Sequence, residues 1–142
     1  MRGFFRKKAA APQGASARVG TGATVLVVDD SPTETHIFVK ALTKAGFRVE
    51  TAPNGEEGVL TARRLLPDLI VMDVVMPVLN GYQATRNLQR DPKTTHIPVI
   101  IVTTKDQETD RAWGLRQGAL DYLVKPVDPD VLVARIRMAL GG

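Results

Sequence analysis

Short apolar runs, each stopped by a polar side chain, limit what this chain can fold into. Val25-Leu26-Val27-Val28 is stopped by Asp29-Asp30, Leu69-Ile70-Val71-Met72 by Asp73, and Val99-Ile100-Ile101-Val102 by Thr103. Shorter candidates lie at 47–51 and 121–124, the second followed by Lys125-Pro126. Unbroken apolar, β-branched runs suit strands covered on both faces, the condition of a parallel sheet. Parallel strands need crossovers, and the segments between the runs have helical spacing. Ile37, Ala41, Leu42 and Ala45 make one apolar stripe, and Val59, Ala62, Leu65 and Leu66 a second. Val131, Leu132, Arg135, Ile136, Ala139 and Leu140 make a last, amphipathic one. Pro32 suits the first turn of the first helix, Gly46 its stop, and Pro129 the start of the last helix. Five strand–helix units between residues 24 and 142 predict an α/β fold. The expected form is a doubly wound five-stranded parallel sheet with helices on both faces.

In an open sheet of this kind, ligands bind outside the carboxyl ends of the strands. Asp29, Asp30, Asp73, Thr103 and Lys125 all stand there, on four separate segments, and should meet in one crevice. Three carboxylates packed that closely repel one another unless a cation joins them. The residues therefore point to a divalent metal, one reactive aspartate and a small anionic group. Composition closes other routes. The absence of cysteine excludes disulfides, thiolate metal sites and thiol catalysis. His36 and His96 are too few for a histidine-based metal site. No apolar stretch approaches a membrane span, and the first eight residues lack the apolar core of a secretory signal. A cytoplasmic protein is the default expectation.

The net charge of +4 belongs to one end of the chain. Residues 1–23 carry Arg2, Arg6, Lys7, Lys8 and Arg18 and no acid, whereas the rest carries 14 basic and 15 acidic residues. A nucleic-acid-binding body would carry a basic face of its own. Residues 1–23, with no apolar period, read as a disordered basic extension, and 24–142 as the folded domain. A weak membrane-surface contact, with Phe4-Phe5 inserted beside the basic cluster, is a second reading of the extension. It is disfavoured because the apolar part is only two residues.

Four motifs now carry a resemblance. Val27-Val28-Asp29-Asp30-Ser31, Met72-Asp73-Val74-Val75-Met76-Pro77-Val78-Leu79-Asn80-Gly81, Thr103-Thr104 and Asp121-Tyr122-Leu123-Val124-Lys125-Pro126 resemble the receiver domain of two-component response regulators. Each motif is weak alone; their order and their places at strand ends make the set specific. The resemblance implies the flavodoxin-like strand order 2-1-3-4-5. It implies that Asp73 is the phosphoacceptor and that Asp30, Asp73 and the backbone carbonyl of Val75 bind Mg²⁺ directly, with Asp29 acting mainly through water. Lys125 would reach Asp73 and later a phosphoryl oxygen, and a cis peptide would precede Pro126. Thr103 would donate its hydroxyl to the phosphoryl group, and Tyr122 would turn inward as Thr103 moves. Val75 and Lys105 would flank the path of the hydrolytic water, and the bulk of Thr104 would narrow access and slow phosphorylation. The structural readings beside these are a helix-capping Asp30 or Ser31, a half-buried strand tyrosine and a loop-capping aspartate.

A narrower resemblance, to the stand-alone receivers of type IV pilus twitching-motility systems, rests on further segments. They are Asp30-Ser31-Pro32-Thr33-Glu34, Asn80-Gly81-Tyr82-Gln83-Ala84-Thr85-Arg86, Thr103 through Asp110, and Trp113-Gly114 with Arg116-Gln117-Gly118-Ala119. It implies a chemotaxis-like pathway with a sensor histidine kinase as phosphate source. With the chain ending at Gly141-Gly142, a stand-alone receiver without a DNA-binding or catalytic output domain is the expectation. The expected output is protein–protein contact through the fourth helix, last strand and last helix, by a monomer or weak dimer. Trp113 on the fourth helix is read equally as a binding anchor or as core. The expectation is a signalling protein with slow self-dephosphorylation and no other catalysis. A phosphate sink for a partner receiver and an unphosphorylated scaffold stand as alternatives. A haloacid-dehalogenase-type phosphatase would need a second carboxylate at Val75, and Asp29-Asp30 would repel the phosphate of a flavodoxin cofactor.

Overall fold

The computed structural model describes residues 22–141. The reading of residues 1–23 as a disordered extension, with its membrane-contact alternative, lies outside these residues except at Gly22 and Ala23. Those two join the body: the Gly22 N–H donates to the Gly46 carbonyl, and Ala23 is buried. Five strands alternate with five helices. They are β1 (Thr24–Val28), α1 (Pro32–Lys44), β2 (Arg48–Ala52), α2 (Gly55–Leu65), β3 (Leu69–Met72), α3 (Gly81–Arg90), β4 (Val99–Thr103), α4 (Glu108–Arg116), β5 (Asp121–Val124) and α5 (Pro129–Ala139). All pairings are parallel, in the order β2-β1-β3-β4-β5. The expected α/β class and strand order are both observed. Among the described residues, no helix is long and apolar enough to cross a membrane.

Alternation along the central strands feeds two cores, because successive strand side chains point to opposite faces. Val25 and Val27 join Phe38 and Leu42 of α1 and Leu132, Val133 and Ile136 of α5 on one face. Leu26 and Val28 join Ala62 of α2 and Ala84 and Leu88 of α3 on the other. At about 25 cal/mol per Å² of apolar surface, full burial of each such leucine or isoleucine contributes roughly 1.5–3 kcal/mol. Several helix starts are fixed by side chains, as the turn chemistry of Ser, Asn and Asp requires. Ser31 accepts from the Glu34 N–H, Asn54 from Glu57 and Asp128 from Asp130, while Asn80 and Gln83 form a reciprocal capping box.

Two apolar stripes are narrower than the sequence reading. Leu66 is not in α2; it caps the helix in a left-handed conformation, φ 51°, and both it and Leu65 are exposed. On α1 the contact with the sheet runs through Phe38 and Leu42, four residues apart, so Ile37 falls to the side and stays half exposed. The 47–51 run is shifted by one residue: Phe47 enters the core and the strand occupies Arg48–Ala52.

Candidate functional site

Strand register brings the acidic residues together. Val28 stands opposite Met72 across the β1–β3 pair, so Asp29 and Asp73 leave the sheet side by side. The Asp73 N–H donates to the Val28 carbonyl at 2.9 Å. Thr103 pairs with Val124, and the Lys125 N–H donates to the Thr103 carbonyl at 2.8 Å, which delivers the lysine to the same edge. Gly81, the first residue of α3, closes the floor: a Cβ there would fall 2.0 Å from the Asp73 carbonyl oxygen.

Asp29, Asp30 and Asp73 each present a carboxylate oxygen within 4.8 Å of the other two. Asp29 and Asp73 are buried and Asp30 is exposed. Asp29 Oδ1 accepts from the Ser31 N–H at 2.9 Å, and Asp73 Oδ1 from the Val74 N–H at 2.7 Å. Lys125 Nζ lies 3.1 Å from Asp29 Oδ2 and 3.6 Å from Asp73 Oδ2, and it forms a third ion pair with Glu34. Burial pushes the Asp73 carboxyl above the ordinary range; Lys125 pulls it back and Asp29 adds to the rise. Burial alone would lower the Lys125 ammonium, but Glu34, Asp73 and Asp29 together raise it. An all-oxygen set with one exposed member suits a hard divalent cation that keeps several waters. The residues present therefore fit Mg²⁺. The peptide between Lys125 and Pro126 is cis.

The other side of the crevice is built mainly on hydroxyl groups. Thr103 is fully buried, and its Oγ1 lies 3.4 Å from the Lys105 N–H. Thr104 is exposed and lines a cavity of about 350 Å³ with Glu34, Ile37, Phe38, Lys125, Pro126 and Val127. Lys105 faces Asp110 at 3.9 Å, and Val75 is exposed. Tyr122 is buried with its ring inward, under Gly114 of α4, where an added Cβ would fall 2.9 Å from the ring. Its hydroxyl donates to the Lys105 carbonyl at 2.8 Å and lies 3.1 Å from the Tyr82 hydroxyl. Tyr82 in turn reaches the Asp110 carbonyl at 3.2 Å. Two hydroxyl hydrogens serve these three contacts, so at most two of them are fully formed hydrogen bonds at one time. Burial, then the hydrogen bond with Tyr82, pushes the Tyr122 phenol far above its ordinary range, which keeps it neutral.

Asp29, Asp30, Asp73, Thr103 and Lys125 stand together at this edge, whereas Tyr122 is buried within β5, and two further residues are missed by the sequence reading. Glu34 has no site role in the sequence reading, and only the fold shows it turned to Lys125. Tyr82 follows the Asn80-Gly81 turn with no chemical motif of its own. Trp113 is on the surface, 46% exposed.

A parallel five-stranded sheet whose carboxyl edge gathers three aspartates, a threonine and a lysine defines a signalling receiver, and the family comparison agrees. The response regulator receiver domain model matches residues 25–137, and the chain belongs to this family. Over 120 residues the chain is 57% identical to Protein PilH of Pseudomonas aeruginosa, covering 84% of this chain and 99% of that one. The chemotaxis protein CheY4 of Vibrio cholerae superposes with a TM-score of 0.78 at 31% identity, covering 83% of this chain and 98% of that one. The receiver domain of the sensor histidine kinase PA1611 from P. aeruginosa superposes with a TM-score of 0.78 at 33% identity. The match covers 86% of this chain and all of that domain, whose active-site cleft coordinates a magnesium ion.

Proposed function

We propose that this receiver accepts a phosphoryl group on Asp73 from a sensor histidine kinase and signals through protein contacts. The observation that carries the reading is Lys125 Nζ set between the carboxylates of Asp29 and Asp73. Asp29, Asp30 and Asp73, with the backbone carbonyl of Val75, would hold Mg²⁺. Bound there, the ion would neutralise charge on the phosphoryl oxygens and on the clustered carboxylates.

An Asp73 oxygen forms the new bond to phosphorus while the bond from phosphorus to the kinase imidazole breaks, and that imidazole keeps the electron pair and takes a proton. Lys125 offers N–H groups to the transferred group as a charge-assisted partner, stronger than a neutral donor. Thr103 accepts from Lys105 in the resting site, which leaves its hydroxyl hydrogen free to donate to the phosphoryl group. Tyr122 is inward already, and its phenol ties the chain near Lys105 to the last strand. The output surface we assign is α4, β5 and α5. Trp113 and Leu115 of α4 and Val124 of β5, exposed apolar residues there, support it.

The pathway we infer is a chemotaxis-like system controlling type IV pilus twitching motility. Its support is the motif resemblance together with 57% identity to PilH. Intact mass after incubation with Mg²⁺ and acetyl phosphate tests the chemistry. One added phosphoryl group is expected on the wild type, none on Asp73→Ala and none with the metal chelated. An adduct that survives in Asp73→Ala would overturn the assignment. In cells, Asp73→Ala is expected to alter twitching as deletion does, and normal twitching in both would exclude the pathway.

A further inference from the structure

We propose that Glu34 is a positioning residue that competes with the phosphoacceptor for Lys125 and restrains phosphoryl capture in the resting protein. The inference rests on the reading of Asp73 as phosphoacceptor. Local geometry gives Glu34 this job. In a capping box its carboxylate would turn back to the Ser31 N–H. That N–H is already taken by Asp29 Oδ1 at 2.9 Å, so the Glu34 side chain is released from the helix end. Its backbone stays fixed, because the Glu34 N–H donates to Ser31 Oγ. The freed carboxylate pairs with Lys125, and Glu34 Oε1, shielded from solvent, finds no other partner among the described residues.

An ammonium has three N–H donors. Asp29, Glu34 and Asp73 present three carboxylates to them, and Asp73, at 3.6 Å, is further than Asp29, at 3.1 Å. The lysine is thus drawn toward α1 and away from the reacting carboxylate. An incoming phosphoryl dianion must take at least one donor from these anions, and Glu34 is the one outside the metal-binding set. Charge counting agrees. A divalent cation and Lys125 bring three positive charges to four carboxylates, and without Glu34 the numbers match. Loss of the Glu34 charge should ease entry of a dianion and free one donor for it.

The test is titration with beryllofluoride, a phosphoryl mimic, at saturating Mg²⁺, followed by ¹⁹F NMR, together with the rate of mass gain from acetyl phosphate. Glu34→Gln keeps the size and removes the charge. It is expected to bind beryllofluoride about fivefold tighter than wild type and to gain mass faster, the order of effect of a partly exposed ion pair. Glu34→Ala should shift the same way. Glu34→Asp, with its charge restored, should return toward wild type, which a purely structural role would not produce. Higher ionic strength should narrow the gap between Glu34→Gln and wild type. Equal or weaker beryllofluoride binding by Glu34→Gln and Glu34→Ala, with unchanged thermal unfolding, overturns the proposal. Wild type that takes up neither beryllofluoride nor phosphoryl overturns the reading of Asp73 itself, and the competition with it.

Discussion

The two sides of the crevice use different chemistry. The side built by β1, β3 and α1 is ionic: Asp29, Asp30, Asp73 and Glu34 around one lysine. The side built by β4, β5 and α3 turns on hydroxyls: Tyr122 and Tyr82 contact each other, and Thr103, Tyr122 and Tyr82 contact backbone groups. Buried charges are costly to separate, so the ionic side holds its geometry until a new charge arrives. Hydroxyls change partners at a net cost of about 0.5–1.5 kcal/mol per bond, so the hydroxyl side can respond to that arrival. The contrast assigns capture to one side and readout to the other, and mutations on each side should separate the two.

The largest effect belongs to Asp73→Asn, which should abolish uptake of phosphoryl and of beryllofluoride. It should also raise the melting temperature. A carboxyl with a raised folded-state pKa binds its proton more tightly folded than unfolded, so its ionisation at neutral pH costs stability. The amide removes that cost. A melting temperature that falls would break the ionic picture. Lys125→Ala comes next. It should weaken beryllofluoride binding by about tenfold to a hundredfold, the range of a charged hydrogen bond, and calorimetry would measure both constants.

On the hydroxyl side, Gly114→Ala gains about 1 kcal/mol of helix propensity. It also drives a Cβ to 2.9 Å from the Tyr122 ring, an overpacking that costs about 1–3 kcal/mol. Net destabilisation in a urea titration is expected, with beryllofluoride still bound. Tyr82→Phe should cost about 0.5–1.5 kcal/mol and leave phosphoryl uptake unchanged. In NMR, the Tyr122 ring signals should broaden or shift, and unchanged signals would deny Tyr82 a part in the readout. The smallest effect is Thr104→Ala. A modest gain in phosphorylation rate is expected because Thr104 lines the cavity beside Lys125, and an equal rate would remove it from the access path.

Much of this was legible in the residues, for a physical reason. The runs at 25–28, 69–72 and 99–102 are covered on both faces, so their burial is written directly in their composition. β2 is an edge strand with Arg48, Glu50 and Thr51 exposed, and there the reading slipped by one residue. The strand-end side chains could be placed because the ends of parallel strands share one edge. Glu34 and Tyr82 could not. The role of Glu34 depends on Asp29 occupying the Ser31 N–H, and that of Tyr82 on α3 lying beside β5's tyrosine. Both are distances across the fold that no local pattern encodes.

The strand order has a consequence for how the chain is made. Among the strands of the described residues β1 leaves the ribosome first, yet it is interior to the sheet, between β2 and β3. Until residues 69–72 have been synthesised, one edge of an apolar strand has no native partner. An open apolar edge is a template for pairing with another chain. β1 is therefore the segment most dependent on speed or on chaperone cover during synthesis. In pulsed hydrogen exchange during refolding, its amides should gain protection together with those of β3, not with β2 alone.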